Sequence, residues 1–288
     1  DFVLTTLSNA GGVADATTRG LGFVSVGSAR AVANVTATTT VTLGLGSTLT
    51  TGGSVTIAPV NHAQGEAYAQ SSAGGLGHGV GSETQVSLTT TATTSLLGTV
   101  IATDDLAATS TSRAHANSEA RASGASFAGS SSANDCGNCH VTLNDTTKLV
   151  VGGSAYLQAD NVRLGAYLRD SQLREYTRAH ADGGFEDSDA DSRITVSSTV
   201  AVELLTGAKI VGYQTVDIVA SHQAFMLISD ARATCGCFGG DSDSDSNIVY
   251  NATSSVTAQP GVTIRTATLT VSALQDLPRW TNNPSRSG

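Results

Sequence analysis

Cys136, Cys139 and His140 stand in the order Cys-x-x-Cys-His within DCGNCH, a spacing that can hold a haem. In a c-type site two thioethers tether the porphyrin and the histidine takes the iron, inside an apolar pocket with a second axial ligand. The flanks here, SSSANDCGNCHVTL, are polar and turn-like. The single methionine, Met226, sits in the apolar run QAFMLIS, and His62, His78, His115, His180 and His222 are scattered. The residues favour a staple, in which Cys136 and Cys139 close a local disulfide or cross-link a neighbouring copy. A haem on Cys136, Cys139 and His140 is the alternative. A second pair, Cys235 and Cys237 in ATCGCFGG, is read as a staple in the same way. Cysteines used like this in a chain rich in Thr, Ser and Gly point to an oxidising, extracellular setting.

Carboxylates form the second constellation. FEDSDADSR carries Asp187, Asp189 and Asp191, and GGDSDSDSN carries Asp241, Asp243 and Asp245. Calcium takes carboxylate and carbonyl oxygens from flexible Asp/Ser/Gly segments, so these six residues are candidate ligands. The bland reading is a solvated acidic edge. A polysaccharide-acting enzyme on clustered aspartates is a further alternative, but no aromatic sugar platform or basic partner accompanies them, and no catalytic residue is assigned. Asn34, Asn144 and Asn251 open N-x-S/T sequons that could accept glycans.

The elements that must position these groups are visible as a repeat. Five segments share an alternating strand, a glycine and a second strand, among them TVTLGLGSTLTTGGSVTIAP and AVELLTGAKIVGYQTVDIVAS. Their marker glycines are Gly46, Gly98, Gly153, Gly207 and Gly261, separated by 52, 55, 54 and 54 residues. Apolar residues alternate in the marked strands: Val55 and Ile57, Val162 and Leu164, Val216 and Ile218, Leu269 and Val271. A period of two means a strand with one buried face. The arm LGAYLRDSQLREYTRAHA fits either period and is read as strand by analogy with its equivalents.

Composition agrees. The 288 residues include 31 glycines but only 14% charged and 5% aromatic residues, enough for a thin repeated core and not for a thick one. The expected fold class is all-β, a right-handed β-solenoid (parallel β-helix) over residues 1–274. Each ~54-residue repeat would make about two rungs of ~27 residues at the strand spacing of ~4.8 Å. Residues 275–288 are expected to be a polar C-terminal tail. Small alanines would point inward where the coil is narrow, and Val, Ile and Leu where it is wide. The two cysteine pairs fall two repeats apart and at different places in the repeat, which separates them beyond the reach of one disulfide.

The repeat, with its "gs-t-L-tt-G-sVtI-A" style and Ala/Gly/Ser arms, resembles the β-strand repeats of filamentous-haemagglutinin-like and giant adhesin proteins of bacterial surfaces. That resemblance spans roughly residues 25 to 275 and implies a structural or adhesive, non-catalytic role. The net charge of −9 repels phosphate backbones and argues against nucleic acid. No run approaches the ~18 apolar residues of a membrane helix, and no basic-then-apolar leader opens the chain. The expectation is a secreted or cell-surface protein, forming head-to-tail homo-oligomers and contacting glycans or cell surfaces, with calcium as the candidate cofactor and haem c disfavoured.

Overall fold

The computed structural model describes residues 1–134 and 140–283, and among them the chain is all-β with no helix. The strands are β1 (Phe2–Leu21), β2 (Val24–Leu43), β3 (Thr48–Thr51), β4 (Val55–Gly74), β5 (Gly77–Leu96), β6 (Thr99–Ala102) and β7 (Asp105–Ala133). They continue as β8 (Val141–Val151), β9 (Tyr156–Leu204), β10 (Lys209–Gly239), β11 (Ser242–Ala258), β12 (Thr263–Gln275) and β13 (Arg279–Asn283). Period-two patterning drives them. In β2 every second residue, from Ala29 through Ala31, Ala33, Val35 and Ala37, is buried, while the residues between face water. The ambiguous arm LGAYLRDSQLREYTRAHA lies wholly within β9.

All pairings are parallel, and each row meets the row one repeat later. Phe2 pairs with Val55, a step of 53; Val55 with Leu106, a step of 51; Leu106 with Val162, a step of 56; Lys209 with Thr263, a step of 54. The expectation of two ~27-residue rungs per repeat is therefore corrected. The pairing step is the whole repeat, because its two arms are long strands, such as β4 and β5 with 20 residues each. At ~3.3 Å per residue such a strand is about 66 Å long, so one pass out and back consumes most of a repeat.

The rows form two broad layers. β1, β4, the first part of β7, residues 161–183 of β9 and 215–237 of β10 make the first. β2, β5, the end of β7, β8, the rest of β9 and β11 make the second. β3, β6 and the starts of β9, β10 and β12 make a short third strip. β7 and β9 run from one layer into the other, and β5, β7, β9 and β8 pair in a closed ring of four.

Inward side chains grade along the layers. Next to the third strip they are large: Ile57, Leu88, Leu96, Leu106, Leu143, Leu157, Leu164 and Leu204 are fully buried. Toward the opposite turn they shrink to Ala73, Ala120, Ala122, Ala133, Ala179, Ala190, Ala231 and Ala233. This matches the expected placing of alanines where the interior narrows. Small hydroxyls bridge the layers there, as between Ser71 Oγ and Ser82 Oγ at 2.8 Å. Truncating a wide-end residue such as Leu143 to Ala removes ~2–5 kcal/mol.

The marker glycines sit in the turns between the second layer and the third strip. Gly46, Gly207 and Gly261 have φ of 75°, 91° and 87°, the left-handed position that follows residue i+1 of a type II turn. In Gln259-Pro260-Gly261-Val262 the Val262 N–H donates to the Gln259 carbonyl at 3.3 Å, with proline holding i+1.

One expectation needs correction. Of the inward apolar pairs, Val55/Ile57, Val162/Leu164 and Val216/Ile218 are buried, but Leu269 and Val271 are 49% and 52% exposed. Among the described residues their strand, β12, has a partner on one side only, β10. After β12, β13 pairs in parallel with Met226–Asp230 of β10.

Candidate functional site

Cys136 and Cys139 lie outside the described residues. On either side of them Ser82 pairs with Ala133 and Val86 with Val141.

His140, just before β8, turns inward. Its Nδ1 stands 3.4 Å from Glu175 Oε1, and Glu175 is fully buried. Asn134 Nδ2 donates to the same oxygen at 2.8 Å, and the Arg193 N–H donates to Oε2 at 2.8 Å. Burial pushes the Glu175 carboxyl above its ordinary value, against the opposing effect of His140. The buried carboxylate orients the imidazole.

Two further buried acids belong to the same interior. His78 Nδ1 is 3.6 Å from Glu186 Oε1, which also accepts from the Ser126 N–H at 2.7 Å and the Ser126 hydroxyl at 2.9 Å. Among the described residues Glu186 Oε2 is buried without a hydrogen-bond partner. His78, Gly129 and Glu186 occupy one column of neighbouring rows. Gly124 and Gly129 make room for the ring, since a Cβ at either would overlap it. Asp145 accepts from Thr90 at 2.6 Å and from Ser198 at 2.9 Å, and Ser198 in turn contacts His222. Acid, serine and imidazole meet here, and all three are buried. Reading the sequence by composition missed these groups. Their signal was present in the alternation: Val141, Leu143, Asp145, Thr147 and Leu149 are successive inward positions.

The other candidates are placed as follows. Cys235 and Cys237 are bonded to each other, with Cα atoms 5.3 Å apart. The two aspartate trios stack: Asp243 pairs with Asp189 and Asp245 with Asp191, and the Asp241 N–H donates to Asp187 Oδ1 at 3.1 Å. They run along open strands, and among the described residues no three His, Cys, Asp or Glu side chains converge as a metal centre. Asn34, Asn144 and Asn251 are all exposed on the outer face of the second layer. That face also carries an unbroken column of threonines, Thr38, Thr91, Thr146, Thr199 and Thr253. Among the described residues no helix is long and apolar enough to cross a membrane.

No family model, curated protein or solved structure matches the chain.

Proposed function

We propose that the chain is a β-solenoid and acts as a structural or adhesive element of an extracellular fibre, without catalysis. One observation supports this above the others: the parallel step of one repeat is kept from β1 to β12. Rows that contact only adjacent rows build a quasi-one-dimensional object, suited to spacing and display. The bonded Cys235–Cys237 pair agrees with a secreted or cell-surface location. The likeness to filamentous-haemagglutinin-like and giant adhesin repeats agrees too, and it rests on repeat style.

Among the described residues β1, β2 and β3 pair on one edge only, as do β11, β12 and β13. In this reading those edges join copies head to tail, a heterologous contact that propagates instead of closing. The aspartate ladder is a solvated edge of the fibre, since its carboxylates spread along strands instead of converging. Cys136 and Cys139 serve as a staple, local or to a neighbouring copy, and carry no haem.

Electron microscopy of the purified chain over a range of concentrations tests this. The expected particles are flat and lengthen in one direction as concentration rises. Compact separate domains, or unchanging monomers at every concentration, overturn it. A visible absorption band of covalent haem that survives denaturation overturns the reading of Cys136 and Cys139 as a staple.

A further inference from the structure

The outer face of the second layer, in its half next to the third strip, is a grid of hydroxyl side chains. Its central column is Thr38, Thr91, Thr146, Thr199 and Thr253, one residue from each of five rows. Thr36 and Thr40 flank it in the first row, and Thr89 and Thr93 flank it in the second. Among the described residues of these three columns Lys148 alone is charged, and Glu203 pairs with it at 3.1 Å. The outer face of the first layer is charged instead, with Arg121, Arg178 and Arg232 in one column. Pairing across the grid runs without a bulge, whereas the first layer shifts register between Ser112 and His115. The grid therefore repeats by ~4.8 Å from row to row and by ~6.6 Å, two residues, along each strand. Inward threonines of the same strands spend their hydroxyls inside the protein: Thr90 donates to Asp145 at 2.6 Å and Thr147 to Ser112 at 2.7 Å. Among the described residues no hydroxyl of the central column has such a partner.

We infer that this threonine face binds ice. Ice presents water oxygens on a lattice whose repeats lie close to both grid distances, so successive hydroxyls meet successive lattice positions. A hydroxyl offers one donor and two acceptor sites, the same kinds that water uses. The branched Cβ of threonine restricts χ1, so the array loses little side-chain freedom on contact. Its methyl groups leave water at the same time, which adds apolar burial to the hydrogen bonds. Charged side chains orient water around themselves and break such a lattice, which selects this face over that of the first layer. The three columns also hold no aromatic ring for a sugar to stack on. The inference needs this face alone and stands whether or not copies join end to end.

Ice-growth assays on the full chain test this, with material made without N-glycans because Asn144 and Asn251 border the central column. The wild-type chain is expected to shape ice crystals, to hold their growth below the melting point, and to be carried into an advancing ice front. Thr91→Tyr with Thr146→Tyr, in the middle of the grid, should abolish all three effects. Tyrosine suits a strand, and circular dichroism checks that the fold survives. Thr91→Ser with Thr146→Ser keeps the hydroxyls, removes two methyl groups, and should narrow the interval of arrested growth. Arg178→Tyr, on the outer face of the first layer, should leave every effect at the wild-type level. A wild-type chain without effect on ice, tyrosine variants of the grid that act as before, or equal loss from Arg178→Tyr overturns the inference. Retention on crystalline cellulose or chitin that the grid variants abolish, with no effect on ice, overturns it too and assigns the face to a polysaccharide.

Discussion

Asp145 and His222, on opposite layers, are joined through one hydroxyl: Ser198 Oγ lies 2.9 Å from Asp145 Oδ2 and 2.8 Å from His222 Nε2. Ser198 donates to the Asp145 carboxylate. On the far side of the ring Ser254 donates to the Leu274 carbonyl at 2.7 Å and stands 2.7 Å from His222 Nδ1.

Burial pushes Asp145 up to about 6 and His222 down to about 4, from ordinary values of 3.8 and 6.5. Between pH 4 and 6 the folded chain keeps a proton on Asp145 that the unfolded chain has released, so this group makes stability fall as pH rises. Over the same interval the unfolded chain protonates His222 and the folded chain does not, so that group makes stability rise with pH. The two slopes oppose. Asp145→Asn is expected to leave the rising slope, and by pH 7 to remove a penalty on the order of 2–3 kcal/mol. His222→Gln should leave the falling slope. Urea unfolding at pH 4, 5, 6 and 7 reads the difference from wild type, and curves parallel to wild type for both variants refute the coupling.

The room made for His78 gives a second prediction. Gly124→Ala or Gly129→Ala drives a methyl into the imidazole and should cost about 1–3 kcal/mol. His78→Ser in the same chain should recover part of that loss, because the two changes share one cavity. Additive losses in denaturant unfolding would mean that the glycines serve the backbone instead of the ring.

Ala224 and Asp170 occupy matching bulges in neighbouring rows, with φ of 51° and 52°. Alanine bears a steric penalty in this left-handed region, whereas Asp tolerates it better. Ala224→Gly is therefore expected to stabilise the chain by about 0.5–1 kcal/mol, with Asp170→Gly giving less. Equal gains, or a loss at 224, would show that the strain argument misjudges this bulge.

Like charges stacked in register should repel along the aspartate ladder. Asp243→Asn with Asp245→Asn is expected to raise the melting temperature at low ionic strength, with the gain fading as the Debye length shrinks to ~10 Å at 0.1 M salt. A variant that melts lower than wild type in calcium, but not with chelator, would assign the ladder a bound cation instead.

The sequence by itself determined the strands, the repeat length and the graded interior. Alternation and turn chemistry are local, and Pro260-Gly261 or Val55-x-Ile57 carries its instruction in adjacent residues. The stacking of Asp187, Asp189 and Asp191 on Asp241, Asp243 and Asp245 was legible for the same reason, since equal offsets from marker glycines become equal register positions. Tertiary structure alone decided how far each strand runs before it turns, and so that one repeat makes one pairing step. Short and long arms alternate identically, and only packing against the next row tells them apart. It also decided which polar groups meet inside. Asp145, Ser198 and His222 are 53 and 24 residues apart in sequence and become neighbours only when two layers close on each other.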